Sequence, residues 1–193
     1  PPRSTLFPYT TLFRSKALEK EYSKKPAIVI DIDETVLNNL PYNEMLIDSS
    51  ESFNQKSWSR WVNKKIATTI PGSLGFLNYV KSKDVELIYL SNRRVENFDP
   101  TKENLVSLGY PFDEDTIMLL RDETSDKTKR RNSLSDFEII MLLGDNLSDF
   151  SSVFYKKSNK ERIKNVDSLY NHFGQKFIVL PNLIYGDWEY GFE

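Results

Sequence analysis

Asp31 and Asp33 stand two positions apart, directly behind the apolar run AIVI at residues 27–30. At the end of a strand, that spacing starts both side chains on one face. Two carboxylates crowded at one site repel unless a cation or a shared proton lies between them. Asp145, in the stretch GDNLSDF behind a second apolar run, adds a third carboxylate. Such a set of hard oxygen ligands suits Mg2+. A cation there would screen an anionic nucleophile from an anionic phosphate. Ser91, behind the run at 85–90, offers a hydroxyl donor to a phosphate oxygen, and Lys127 offers a point charge for a transferring group. These residue types fit the cleavage of a phosphate monoester.

Each signal alone has a plainer reading. An Asp-x-Asp pair behind a strand is more often a cap or turn, and GDNLSDF alone reads as a turn followed by a helix cap. Lys129 lies two positions from Lys127, and the basic cluster KTKRR reads partly as a solvated face. Three signals in order, each at a strand end or its adjoining loop, leave coincidence a poor explanation.

The elements that must position these groups follow from the apolar pattern. Continuous runs at 27–30, 85–90, 138–143 and 176–180, with a shorter one at 116–120, are those of strands covered on both faces. Between them lie helical stretches. Ser73 is expected to cap one, Thr101 to cap a second that stops at Gly109, and a third spans 159–172 and ends near Gly174. Residues 16–25 are also helical in character. Strand–helix alternation predicts an α/β fold: a Rossmann-like three-layer parallel sheet whose ligands bind beyond the carboxyl ends of the strands. Residues 38–70 break the alternation and read as a small helical cap insert containing Tyr42, Phe53, Trp58 and Trp61, the two tryptophans as packing residues.

Composition narrows the chemistry. The 193 residues suffice for one domain with a small insert, and a net charge of −2 gives no electrostatic case for a nucleic-acid polymer or an anionic membrane. There is no cysteine, which excludes disulfides and thiolate chemistry, and a single histidine, His172, which argues against two-histidine mechanisms and is read as structural. The first fifteen residues, PPRSTLFPYTTLFRS, repeat Thr-Leu-Phe and resemble translated sequencing-adapter DNA. Residues 1–15 are therefore expected to be non-native, with the phosphatase domain at 16–193 and the natural N-terminus, including any export signal, lost.

DIDETVLNN, Ser91 of YLSNRR, Lys127 and GDNLSDF resemble the four motifs of the haloacid dehalogenase superfamily. More closely, the chain resembles the class C acid phosphatases of bacterial surfaces. SWSRWVNKK, IPGSLGFLNYV, DKTKRR and PNLIYGDWE follow family segments in order, so the likeness covers residues 16–193. It implies that Asp31 attacks phosphorus to form an aspartyl-phosphate, and that Asp33 protonates the leaving oxygen and then activates water. It also implies a Mg2+ held by the Asp31 carboxylate, the Asp33 main-chain carbonyl and Asp145. Asp149 would orient the metal's water ligand, and Ser91, Asn92 and Lys127 would hold the phosphate. Tyr42, Phe53 and Tyr185 would flank the leaving group, core packing being the equal alternative for each. An acidic pH optimum follows from the need for a protonated Asp33.

The resemblance implies small phosphate monoesters as partners, among them nucleoside 5′-monophosphates and aryl phosphates. Family members are extracytoplasmic, often anchored through an N-terminal lipid that this chain would have lost, and some are homodimers. Two other classes compete: a phosphoacceptor or binding module that stores the phosphoryl group, and an inactive surface homologue. Asp33 argues against the first, because it promotes hydrolysis. The presence of every motif residue argues against the second.

Overall fold

The computed structural model describes residues 21–192. Residues 1–15, expected to be non-native, and residues 16–20 of the expected N-terminal helix lie outside the described residues. Residues 21–24 are not helical, and Lys25 already opens the first strand.

Side chains alternate across a strand, so an uninterrupted apolar run needs a core on each side. Strand β1 (Lys25–Ile30) has both. It pairs in parallel with β4 (Glu86–Arg94) on one side and with β6 (Phe137–Gly144) on the other. Beyond these lie β5 (Ile117–Arg121) and β7 (Phe177–Val179), giving the order β5-β4-β1-β6-β7 with every pairing parallel. Ile28, Ile30, Leu87, Tyr89, Met141 and Leu143 join one core, shared with Phe76, Leu77 and Val80 of α3 (Ser73–Lys81) and Leu105 of α4 (Phe98–Ser107). Ala27, Val29, Ile88, Leu90 and Leu142 join the other, with Leu134, Phe150 and Phe177. Each large apolar side chain buried this way contributes about 1.5–3 kcal/mol, and β1 contributes to both cores. The three-layer architecture expected from the sequence is the one observed.

The break at 38–70 holds two helices, α1 (Leu40–Asp48) and α2 (Gln55–Lys64). A two-residue antiparallel pair closes its base: β2 (Leu37–Asn38) with β3 (Thr68–Thr69). Asn54 caps α2 by accepting from Ser57 N at 2.9 Å. Trp58 and Trp61 turn inward into the larger core, as their helical spacing suggests.

Two expected caps are corrected. Ser73 lies inside the first turn of α3, where its hydroxyl donates to Ile70 O at 2.6 Å and pairs with Tyr110 Oη. Helix α4 begins at Phe98, and Thr101, inside it, accepts a hydrogen bond from Arg93 Nη1 at 3.0 Å. Both hydroxyls serve tertiary partners rather than a helix end. Gly109 is the expected stop, with φ of +84°. The third helix is α6 (Asn159–Ser168), followed by a 3-10 turn at Tyr170–His172. The second strand runs past the expected residue 90 to Arg94, because pairing with β5 resumes at Arg94–Arg121 after a register shift. Ser91, Asn92 and Arg93 are thus strand residues. Among the described residues, no helix is long and apolar enough to cross a membrane.

Candidate active site

Asp31 N continues the sheet ladder by donating to Leu143 O at 2.9 Å. The chain then turns back sharply: Val36 N and Leu37 N both donate to Ile32 O at 2.9 Å, and Glu34 N donates to Leu37 O at 2.8 Å. Glu34 sits in the left-handed region, φ +55°, where a non-glycine residue is strained by about 1–2 kcal/mol. Its carboxylate is tethered there, accepting from Asn39 N at 3.3 Å and from Tyr185 Oη at 3.0 Å. Burial, then the neighbouring Asp33, raises the Glu34 carboxyl above its usual range.

At the end of β6, Asn146 caps the 3-10 turn Leu147–Asp149, and Asn146 N donates back to Asp149 Oδ2 at 2.9 Å. Gly144 makes this closure feasible. A Cβ there would stand 2.2 Å from Asp149 Oδ2. Lys127 precedes the short helix α5 (Thr128–Asn132) and is 3% exposed. Its ammonium donates to Asp31 Oδ1 and, at 2.7 Å, to Asp149 Oδ1. Lys129 is exposed, so the lysine of this site is Lys127.

Oxygens of Asp31, Asp145 and Asp149 all lie within 4.8 Å of one another. This corrects the expectation that the side chains of Asp31, Asp33 and Asp145 converge. The Asp33 carboxylate is drawn instead to Arg93, with Nε at 3.0 Å and Nη2 at 2.8 Å from Oδ1, and to Asn39 Nδ2 at 2.9 Å. Arg93 is wholly buried, with its guanidinium 5.7 Å from the Trp58 ring. Ser91 is also fully buried, accepting from Arg93 N at 3.0 Å and lying 3.5 Å from Asp33 Oδ2.

Burial pushes the Asp31 carboxyl up to about 7; Lys127 opposes the rise, while Asp149 and Asp33 add to it. Burial, Asp149 and Asp31 also push Asp145 well up. Burial disfavours the Lys127 ammonium, but Asp149 and Asp31 outweigh it and raise its pKa. One ammonium among three carboxylates leaves excess negative charge in a buried place, and the donors are all hard oxygens. The set fits a divalent cation. Asp145 Oδ2 accepts from Asn182 Nδ2 at 2.8 Å, whereas Oδ1 has only a long contact to Thr35 Oγ1, 3.4 Å, and remains available to a metal. Both oxygens of Asp149 already accept short hydrogen bonds.

These groups end in a cavity of about 430 Å³ lined by Asp31, Asp33, Asn92, Lys127, Asp145 and Asp149. Tyr42, Phe53, Trp58 and Tyr185 also line it, so all three expected aromatic residues reach the cavity together with one read only as packing. Tyr42 packs edge-on against Trp58 at 5.0 Å and pairs through its hydroxyl with Ser57 Oγ at 2.8 Å. Ser91 does not reach the cavity surface, lying behind Asp33 and Arg93. His172 stacks on Phe177 at 5.1 Å and is not part of the site. Sequence reasoning missed Arg93, Glu34, Asn39 and Asn182 as site residues. The period-two pattern of YLSNRR was the available signal for Arg93, since it sets Arg93 on the same strand face as Ser91.

The model of the HAD superfamily, subfamily IIIB (acid phosphatase), matches residues 8–188. The class C acid phosphatase from Bacillus anthracis is 42% identical in sequence, with a TM-score of 0.87 over 94% of this chain and 77% of that one. Its tungstate-bound form aligns at a TM-score of 0.89, 40% identical over 96% of this chain and 80% of that one. A stem 28 kDa glycoprotein from Glycine max is 32% identical over 141 residues, 69% of this chain and 56% of the relative. The chain spans about half the length of the curated relatives it matches. With the family's segments matched along nearly its whole length, the chain belongs to the acid phosphatases of HAD subfamily IIIB.

Proposed function

We propose that this chain is a Mg2+-dependent acid phosphatase that hydrolyses small organic phosphate monoesters through an aspartyl-phosphate on Asp31. Nucleoside 5′-monophosphates and aryl phosphates are the expected substrates. One observation carries the reading. The Asp31 carboxylate faces a cavity at the carboxyl edge of a parallel sheet, held by Lys127 beside two further carboxylates. The related Bacillus phosphatase was solved with tungstate bound, a tetrahedral oxyanion like phosphate, which supports a phosphate ester as the ligand of this chain.

In the first step an Asp31 oxygen bonds to phosphorus while the bond from phosphorus to the leaving oxygen breaks. Asp33 gives that oxygen its proton. In the second step Asp33 takes a proton from water, the water oxygen bonds to phosphorus, and the bond to Asp31 breaks. Lys127, already between Asp31 and Asp149, places positive charge where the transferring group gathers negative charge. Arg93 and Asn39 keep Asp33 apart from the three-carboxylate group, on the cavity wall available to the leaving group. The Asp31 and Asp145 carboxylates and the Asp33 main-chain carbonyl would hold the cation, with Asp149 holding Lys127 and orienting water. The cation supplies charge screening between nucleophile and phosphate.

Asn92 and Lys127, which line the cavity, are the proposed phosphate donors; Ser91, buried behind them, accepts from Arg93 N and steadies that wall, and Tyr42, Phe53 and Tyr185 are the surfaces flanking the leaving group. An extracytoplasmic location is favoured by the Glycine max glycoprotein relative, since glycoproteins pass through the secretory route. The test is Asp31→Asn, which keeps shape and removes the nucleophile. Mg2+-dependent release from p-nitrophenyl phosphate is expected to vanish, and turnover at the wild-type rate would refute the assignment.

A further inference from the structure

The cavity has a basic wall as well as an acidic floor. Arg121 closes β5, Arg94 closes β4, and the two residues are register partners at the carboxyl edge of the sheet. Arg121 lines the cavity and is partly buried. Its Nη2 donates to Gln55 Oε1 on α2 at 3.2 Å, a neutral partner. No ion pair within 4.0 Å joins it to a carboxylate among the described residues. Burial first, and then the neighbouring Arg94, weakens its hold on its proton, with Tyr155 and Glu96 compensating in part. Arg130, close enough to repel it, donates to Ser91 O at 2.6 Å and to Asn92 Oδ1 at 2.7 Å.

A half-desolvated guanidinium held by a neutral amide beside like charges has unmet electrostatic demand. Its planar fork of donors matches carboxylate and phosphate oxygens. The reacting phosphate has other donors in Lys127 and Asn92, which line the cavity. We propose that Arg121, supported by Gln55, is a subsite for a second anionic group on the substrate. The favoured substrates are then phosphomonoesters that carry another phosphate or a carboxylate. This rests on the phosphatase reading and narrows its substrate class.

The test uses two ligand pairs in Mg2+: adenosine 5′-monophosphate against adenosine 3′,5′-bisphosphate, and phenyl phosphate against 4-carboxyphenyl phosphate. The wild type is expected to favour the doubly anionic member of at least one pair by about tenfold or more in KM, the worth of one charge-assisted hydrogen bond. Arg121→Gln should erase that preference, and Arg121→Lys should restore part of it. Equal handling of both members in both pairs by the wild type would overturn the proposal. So would an equal loss on singly and doubly anionic members in Arg121→Gln, which would assign Arg121 to the reacting phosphate. A wild type inactive on all four esters would refute the phosphatase reading instead. Calorimetric binding of the same pairs to the same three proteins would then still decide the subsite.

Discussion

Gly144→Ala adds one methyl group where the structure has no room for it. The new Cβ would lie 2.2 Å from Asp149 Oδ2 and 2.7 Å from its Cβ and Cγ, inside the 3.0 Å limit that such atoms respect. Asp149 must therefore shift by close to an ångström, yet Lys127 Nζ at 2.7 Å and Asn146 N at 2.9 Å hold its two oxygens. Overpacking of this kind destabilises by about 1–3 kcal/mol. For a chain of this size each kcal/mol lowers Tm by about 2–4 °C. The same shift pulls Lys127 off its place beside Asp31, and a misplacement of about 1 Å at a reacting centre can lower turnover about 100-fold. The assay is a thermal melt together with kcat on p-nitrophenyl phosphate in Mg2+. A double-mutant cycle isolates the cause: in an Asp149→Gly background, which removes the Cβ as well as the carboxylate, Gly144→Ala should carry little further loss of stability. Wild-type Tm and kcat in the single variant, or full additivity in the double, would refute the reasoning.

Arg93→Lys removes the two-nitrogen grip on Asp33 while keeping the charge. The loss in kcat should be about tenfold or more for an alkyl phosphate, whose leaving oxygen needs a proton, and smaller for p-nitrophenyl phosphate. Equal losses on both esters would mean that Arg93 is merely structural. In the metal-free protein the Asp31 carboxyl stands at about 7, above its ordinary 3.8. Between those values the native state keeps a proton that the unfolded chain has released, so stability should fall as pH rises from 5 to 7 in EDTA. Mg2+ held there as proposed would replace that proton, so its stabilisation should grow over the same range; melts in EDTA that stay flat or rise would contradict this.

The strands were legible because β1, β4 and β6 are covered on both faces, which calls for apolar residues at nearly every position, in runs too short for a buried helix. The helix starts were less so. Ser73 and Thr101 look like caps in sequence, but Tyr110 and Arg93 claim their hydroxyls, partners set by distant segments. The same limit governs the site. Asp31, Lys127 and Asp145 announce themselves through spacing and motif. The exchange of Asp33 for Asp149 in the carboxylate group does not, because it depends on Arg93 from β4 meeting Asp33 across the sheet. Asn182 and Tyr185 reach Asp145 and Glu34 from the far end of the chain, contacts that no local pattern encodes.

A single turnover with excess enzyme, quenched in acid and followed by peptide mass mapping, tests the central assignment most directly. The peptide holding Asp31 should gain the mass of one phosphoryl group on Asp31 itself, and the label should decay as phosphate appears. A phosphoryl group on another residue, or phosphate released with no labelled peptide at any time, would contradict the account.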